Sequence, residues 1–266
     1  MSAVLQVTQA GHVRTIRLNR PEVKNALNPE LAWGVVAAIE DASRDDDVWV
    51  VAITGTDDAF CAGLDLRSVG QASKHPSGPQ TEYLDDINWV GRFLLACRQT
   101  CDKPVVAGIN GVAVGAGLSL AMAADIRIIA KSARLMAGYP RIGGSPDGGL
   151  TISLPQAVGY EQAMRFMLEN RTVLGPEAVS LGMAGEVVDD DKLSARLAEY
   201  CAMLCERSPI TLRLTKRGME RATRTIDVEA QLRYELANIH RAFSSEDGRE
   251  ARQAFLEKRP PVFKGR

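Results

Sequence analysis

Apolar and polar positions alternate at the start of the chain. Residues 5–8 and 13–18 repeat with period two on either side of Ala10-Gly11, which predicts a hairpin. Asn28-Pro29-Glu30-Leu31 reads as an N-cap followed by proline at the first helical position, opening a helix to about residue 42. Residues 48–54, 105–109 and 126–130 are short, nearly unbroken apolar runs, as expected of strands covered on both faces. A polar segment, 68–79, carries Gly70, Pro76, Gly78 and Pro79 and predicts a loop before a helix over about 80–101. Another helix is predicted to begin near Ala116. This strand-helix order argues for an α/β core. After Gly159 the apolar positions recur at helical spacing, over 160–168, 176–181, 193–208, 211–222, 227–244 and 248–257. The C-terminal third is therefore predicted to be mostly helical and to lie against the core or a neighbouring subunit.

Composition narrows the class. A chain of 266 residues with 45% hydrophobic and 24% charged residues suits one large domain, or one core with a small appendage, and not a disordered chain. The net charge of -1 gives no footprint for nucleic acid and no membrane-steering patch. The cysteines are Cys61, Cys97, Cys101, Cys201 and Cys205, and with three histidines in the chain no metal site is predicted. Reduced thiols packed as small hydrophobes are the expectation. The stretch 112–124 is rich in Gly and Ala and follows Asn110-Gly111, so it predicts a buried turn and helix and not a membrane span. No basic region followed by a long apolar run stands at the N-terminus, so a cytoplasmic location is expected.

Three segments carry the chemistry. They are Asn19-Arg20-Pro21-Glu22-Val23-Lys24-Asn25-Ala26-Leu27, then Phe60-Cys61-Ala62-Gly63-Leu64-Asp65-Leu66, then the run from Lys103-Pro104 through Asn110-Gly111 to Gly115-Ala116-Gly117. In order and separation they resemble the crotonase superfamily, the enoyl-CoA hydratase/isomerase family. The resemblance implies an α/β, crotonase-like (ClpP/crotonase) spiral of β-β-α units with a helical C-terminal region. Residues 1–200 would form the core, and 201–266 a helical region for active-site cover and oligomerisation. It implies an acyl-CoA thioester as substrate, no cofactor beyond its coenzyme A moiety, and a homotrimer or dimer of trimers. The thioester oxygen would receive hydrogen bonds from the backbone N–H groups of Leu64 and Ala116. Main-chain atoms around Lys24, Ala26 and Leu27, and from Ala62 through Leu64 and Asp65 to Leu66, would line the coenzyme A. Enolate-like charge on the oxygen is what fixed peptide dipoles stabilise, without reorganising as the reaction proceeds. Ala116 departs from the family pattern, which has Gly there; its methyl group leaves the N–H intact.

The reaction is read from three further positions. Where typical family hydratases carry two glutamates, this chain has Ser119 and Tyr139, which puts two-carboxylate hydration in doubt. Asp147 lines up with an aspartate of family isomerases and of the aromatic acyl-CoA dehalogenase branch. Its local alternative is a turn or cap role in Pro146-Asp147-Gly148-Gly149. The dehalogenase histidine is missing, since the corresponding region reads Asn88-Trp89-Val90-Gly91-Arg92, and Tyr139 replaces that branch's tryptophan. Double-bond isomerisation with Asp147 as proton shuttle is therefore expected, with Ser119 and Tyr139 in the substrate pocket. The alternatives are an unusual hydratase, a dehalogenase- or hydrolase-like enzyme, and a catalytically weak acyl-CoA-binding protein.

Overall fold

The computed structural model describes residues 4–68, 75–225 and 227–266. Gly70 of the expected loop lies outside them. The predicted hairpin forms from β1 (Leu5–Ala10) and β2 (Val13–Leu18), paired antiparallel. Helix α1 (Pro29–Arg44) follows, with the Asn28 side chain accepting from the Leu31 N–H at 2.9 Å, and it buries Leu31, Val35 and Ile39.

Three β-β-α units then build two sheets. Strands β3 (Val50–Gly55) and β4 (Ala59–Cys61) precede α2 (Pro79–Leu84) and α3 (Asn88–Leu95). Strands β5 (Val105–Ile109) and β6 (Val112–Val114) precede α4 (Ala116–Ala123). Strands β7 (Ile126–Ala130) and β8 (Arg134–Met136) precede α5 (Tyr139–Ile142), α6 (Leu150–Val158) and α7 (Tyr160–Glu169). After them come β9 (Val173–Leu174), α8 (Gly175–Ser180) and β10 (Glu186–Val188). The first strand of each unit joins a six-stranded sheet ordered β1-β2-β3-β5-β7-β10; the second joins a four-stranded sheet ordered β4-β6-β8-β9. From β2 onwards the larger sheet is parallel. Every residue of β3 and β5 is buried, as their apolar runs require. The chain closes with α9 (Leu193–Cys205), α10 (Pro209–Ala222), α11 (Val228–Ser244) and α12 (Glu246–Glu257).

Two expectations are corrected. The single helix over 80–101 is broken. Asp85 is extended and its carboxylate accepts from the Ile87 N–H at 3.1 Å, while Asn88 has φ +57° and its side chain accepts from the Trp89 N–H. Short polar side chains that bond nearby backbone compete with the helix ladder. Beyond α3 the turn Ala96–Thr100 widens to a π-helix, whose Cys97 carbonyl accepts from the buried Lys216 ammonium. The helix over 193–208 ends at Cys205, because Ser208 instead caps α10, whose first residue is Pro209. All five cysteines are free thiols, four of them buried.

Candidate active site

The three sequence segments meet at the edge where the small sheet faces α4. Leu27 and Leu64 form an isolated parallel bridge: the Leu27 N–H donates to Gly63 C=O at 2.7 Å, and the Asp65 N–H donates to Leu27 C=O at 2.9 Å. In a parallel pair the flanking groups of one strand serve the central residue of the other, so the Leu64 N–H points away from this bridge. Ala116 is the first residue of α4, and its N–H is one of the helix's orphan donors. Gly63, which precedes Leu64, packs against the turn that opens α4. Gly63 has φ +92°, and a Cβ there would stand 2.6 Å from Val114 O and 3.8 Å from Ala116 N. Likewise a Cβ on Gly117 would lie 2.3 Å from Cys61 O, so only glycine lets α4 close on β4. The positive end of α4 thus faces the same side as Leu64.

Two asparagines hold this arrangement. Asn25 is fully buried at φ +56°, and its amide donates to Thr56 O and to Ala59 O at 3.0 and 2.7 Å. Its oxygen accepts from the Arg20 N–H at 2.8 Å and from the Thr56 hydroxyl at 3.0 Å. Asn110 donates to Asp57 O and Ala59 O and accepts from the Gly55 N–H. Both amides therefore converge on Ala59, the first residue of β4, tying the first and third segments to the second. Arg20 adds an ion pair to Asp65 at 2.9 Å and a hydrogen bond to Ala26 O at 2.6 Å. Burial pushes the Asp65 carboxyl up, but Arg20 and the Arg67 N–H outweigh it and hold it below the ordinary carboxylate range. The Asp65 side chain is thus committed within the protein. Lys24 likewise pairs with Asp58, and its carbonyl accepts from the Ala62 N–H. Leu64 and Leu66 leave their side chains exposed. Asn25 and Asn110 both lie inside the sequence segments, but their roles were not read from the sequence.

The second cluster lies beyond the other side of the α4 N-terminus. The Tyr139 hydroxyl donates to Asp147 Oδ1 at 2.9 Å, and Ser119 Oγ lies 3.3 Å from that hydroxyl. Ser119 also reaches Asp147 O at 3.0 Å and Gly115 O at 3.2 Å. Tyr139 packs beside the Gly115 turn: a Cβ on Gly115 would stand 4.0 Å from its ring. Ser119, Tyr139 and Asp147 are therefore brought together next to Ala116. Asp147 is exposed as a residue, yet its carboxyl lies over Tyr139. Loss of water there pushes that carboxyl above its usual 3.8, with the Tyr139 hydrogen bond opposing the rise. Burial also raises the Tyr139 phenol, which stays protonated through the neutral range.

From α3, Val90 and Leu94 face this turn, 3.3 and 2.4 Å from Cβ atoms built on Gly148 and Gly149. Arg92 points elsewhere, to Asp85 at 2.8 Å and over Trp33. No histidine, and no basic group of α3, stands beside Asp147 among these contacts. Among the described residues no group of three or more His, Cys, Asp or Glu side chains is placed to hold a metal ion.

The sequence pattern of the family described as enoyl-CoA hydratase/isomerase matches residues 8–266. The chain belongs to that family. It is 33% identical to 1,2-epoxyphenylacetyl-CoA isomerase of Escherichia coli K12, over 100% of both chains. It is 31% identical to 2,3-dehydroadipyl-CoA hydratase of the same strain, over 98% of this chain and 99% of that one. Among solved structures, a putative enoyl-CoA hydratase from Streptomyces coelicolor A3(2) superposes with a TM-score of 0.90 at 30% identity, covering 99% of this chain and 94% of that one. Enoyl-CoA hydratase from Bacillus anthracis superposes with a TM-score of 0.88 at 28% identity, covering 99% and 100%. Two sheets fed by β-β-α units are the crotonase spiral. As a member of this family the protein is an enzyme that processes acyl-CoA thioesters, with no cofactor beyond the coenzyme A of its substrate.

Proposed function

We propose that this enzyme moves a double bond in an acyl-CoA thioester through an enolate held by the Leu64 and Ala116 N–H groups. From a 3-enoyl ester Asp147 takes a proton from the α-carbon: a C–H bond breaks, an O–H bond forms, and the electron pair runs to the thioester oxygen. Asp147 then returns that proton at the γ-carbon as the double bond moves into conjugation, so the product has the mass of the substrate. The observation that carries this reading is the carboxyl of Asp147, held by Tyr139, whose ring packs beside the Gly115 turn that opens α4. General acid-base catalysis by such a group contributes roughly 10²–10⁴-fold. Kinship to an isomerase supports it.

Hydration is the second reading, and kinship to a hydratase favours it. Ser119 argues against its usual form: its hydroxyl lies within reach of Gly115 O and Asp147 O, and no carboxylate stands at that position to activate water. Main-chain atoms of Lys24, Ala26, Leu27, Ala62, Leu64, Asp65 and Leu66 would line the coenzyme A. A homotrimer or dimer of trimers fits α11, which buries Gln231 and Asn238 yet exposes Val228, Leu232, Leu236, Ile239 and Phe243 on one stripe. In this reading residues 1–200 are the core and 201–266 the helical cover and oligomerisation region. The enzyme would act in the cytoplasm; no helix among the described residues is long and apolar enough to cross a membrane.

The test is mass spectrometry of a panel of 2-enoyl- and 3-enoyl-CoA esters in ¹⁸O-labelled water, with wild type and Asp147→Asn. A mass-neutral product lost in the variant supports isomerisation. A labelled water adduct supports hydration, and full turnover by the variant rejects Asp147 as the proton shuttle.

A further inference from the structure

Asp147 lies outside every helix and strand, on the turn between α5 and α6. A base on such a turn does its work only if its carboxylate is fixed, and the neighbouring hydroxyls supply the fixing. Ser119 is fully buried and Tyr139 nearly so, and neither hydroxyl is turned to water. The Tyr139 proton goes to Asp147 Oδ1, so at their 3.3 Å contact Ser119 is the donor to Tyr139 when it donates there. Ser119 also lies within reach of Asp147 O, and the Asp147 N–H points at the Tyr139 hydroxyl at 3.4 Å. Backbone and carboxylate of one residue are thus gripped by the same two side chains.

We propose that Tyr139 is a positioning residue for Asp147: it holds the carboxylate through Oδ1, so that the proton in transit is carried on Oδ2, and Ser119 keeps Tyr139 in register. This rests on the reading of Asp147 as the base. A hydroxyl that donates into Oδ1 disfavours protonation of that oxygen, and a hydrogen bond to the ionised form favours that form. The groups facing the carboxyl bear this out by their chemistry. Tyr139 from α5 bonds the carboxyl and Ser119 from α4 bonds Tyr139 in turn, while Val90 and Leu94 of α3 pack on the adjoining Gly148 and Gly149; Tyr139 is the one titratable side chain among these contacts. Removing the phenol oxygen leaves only the backbone N–H of Asp147 to oppose desolvation and raises the proton affinity of that carboxyl.

The experiment compares pH profiles of kcat and kcat/KM for wild type, Tyr139→Phe, Ser119→Ala and the double variant, with trans-3-hexenoyl-CoA as probe. The Asp147 carboxyl is also titrated by infrared difference spectroscopy, its band assigned by its loss in Asp147→Asn. Tyr139→Phe is expected to move the Asp147 titration and the acid limb up by about one pH unit, a tenfold gain in proton affinity. Its kcat should fall tenfold or more with KM within about twofold, the pattern of a lost transition-state interaction. Ser119→Ala should shift the limb the same way by less, and the double variant should be no worse than Tyr139→Phe. A folded Tyr139→Phe with an unmoved titration and unchanged kcat overturns the proposal. Should that variant not fold, an unmoved titration in Ser119→Ala overturns it instead. Full turnover by Asp147→Asn sinks the base reading, whereas the infrared titration still decides whether Tyr139 acts on that carboxyl.

Discussion

Ala116 is the residue at which one of the two proposed oxyanion donors can be deleted with least disturbance. It is the first residue of α4, a position where proline is tolerated because its missing N–H has no intrahelical acceptor. Ala116→Pro should therefore keep the fold and lower kcat by about 10²–10³, the loss typical of one oxyanion-hole donor; circular dichroism and steady-state kinetics check both halves. Asp147 adds a pH signature. The base must be ionised, and its carboxyl lies above the ordinary 3.8, so activity should fall as pH drops through that raised value. The wild-type acid limb should accordingly stand above the range of a free aspartate. The segments that carry Leu64, Ala116 and Asp147 were legible in the sequence because each is contiguous. Asn25 and Asn110 were not, because each acts across 31 to 55 residues of chain. A one-dimensional pattern carries no sign of such a closure, although buried polar groups of this kind are nearly always bonded.

At the scale of elements, the network around Ala59 governs how the site is assembled. Asn25→Ala strips acceptors from the Arg20 N–H and the Thr56 hydroxyl at a fully buried position. It also puts an alanine at positive φ. The expected cost is about 3 kcal/mol, read as a lower midpoint in chemical denaturation. The long apolar strands β3, β5 and β7 were legible from their runs. The second sheet was not, since β4, β6 and β8 have three residues each and show no period. The break at Asp85 was hidden for a different reason: the apolar spacing of 80–101 continues through it, and only local side-chain bonding ends the helix.

At the scale of the molecule, α11 is inverted. Its inward face carries Gln231 and Asn238, with Gln231 donating to Gly218 O, while an apolar stripe of five residues faces outward. Helical spacing was legible in the sequence, but which face meets the core was not, because periodicity fixes a face without saying what covers it. A second copy of the chain covering that stripe accounts for the inversion. Leu236→Glu should then reduce the molar mass seen by light scattering from three or six chains towards one.

The central claim is that a proton moves within the substrate by way of Asp147 while two backbone donors hold the thioester oxygen. Its most direct test is the mass of the product formed from a 3-enoyl-CoA ester in ¹⁸O-labelled water, by wild type and by Asp147→Asn enzyme shown to bind the ester equally. The claim predicts an isomer of unchanged mass from the wild type and a loss of turnover of at least a hundredfold in the variant. The absence of any isomer from the wild type, or undiminished isomerisation by the variant, would contradict it.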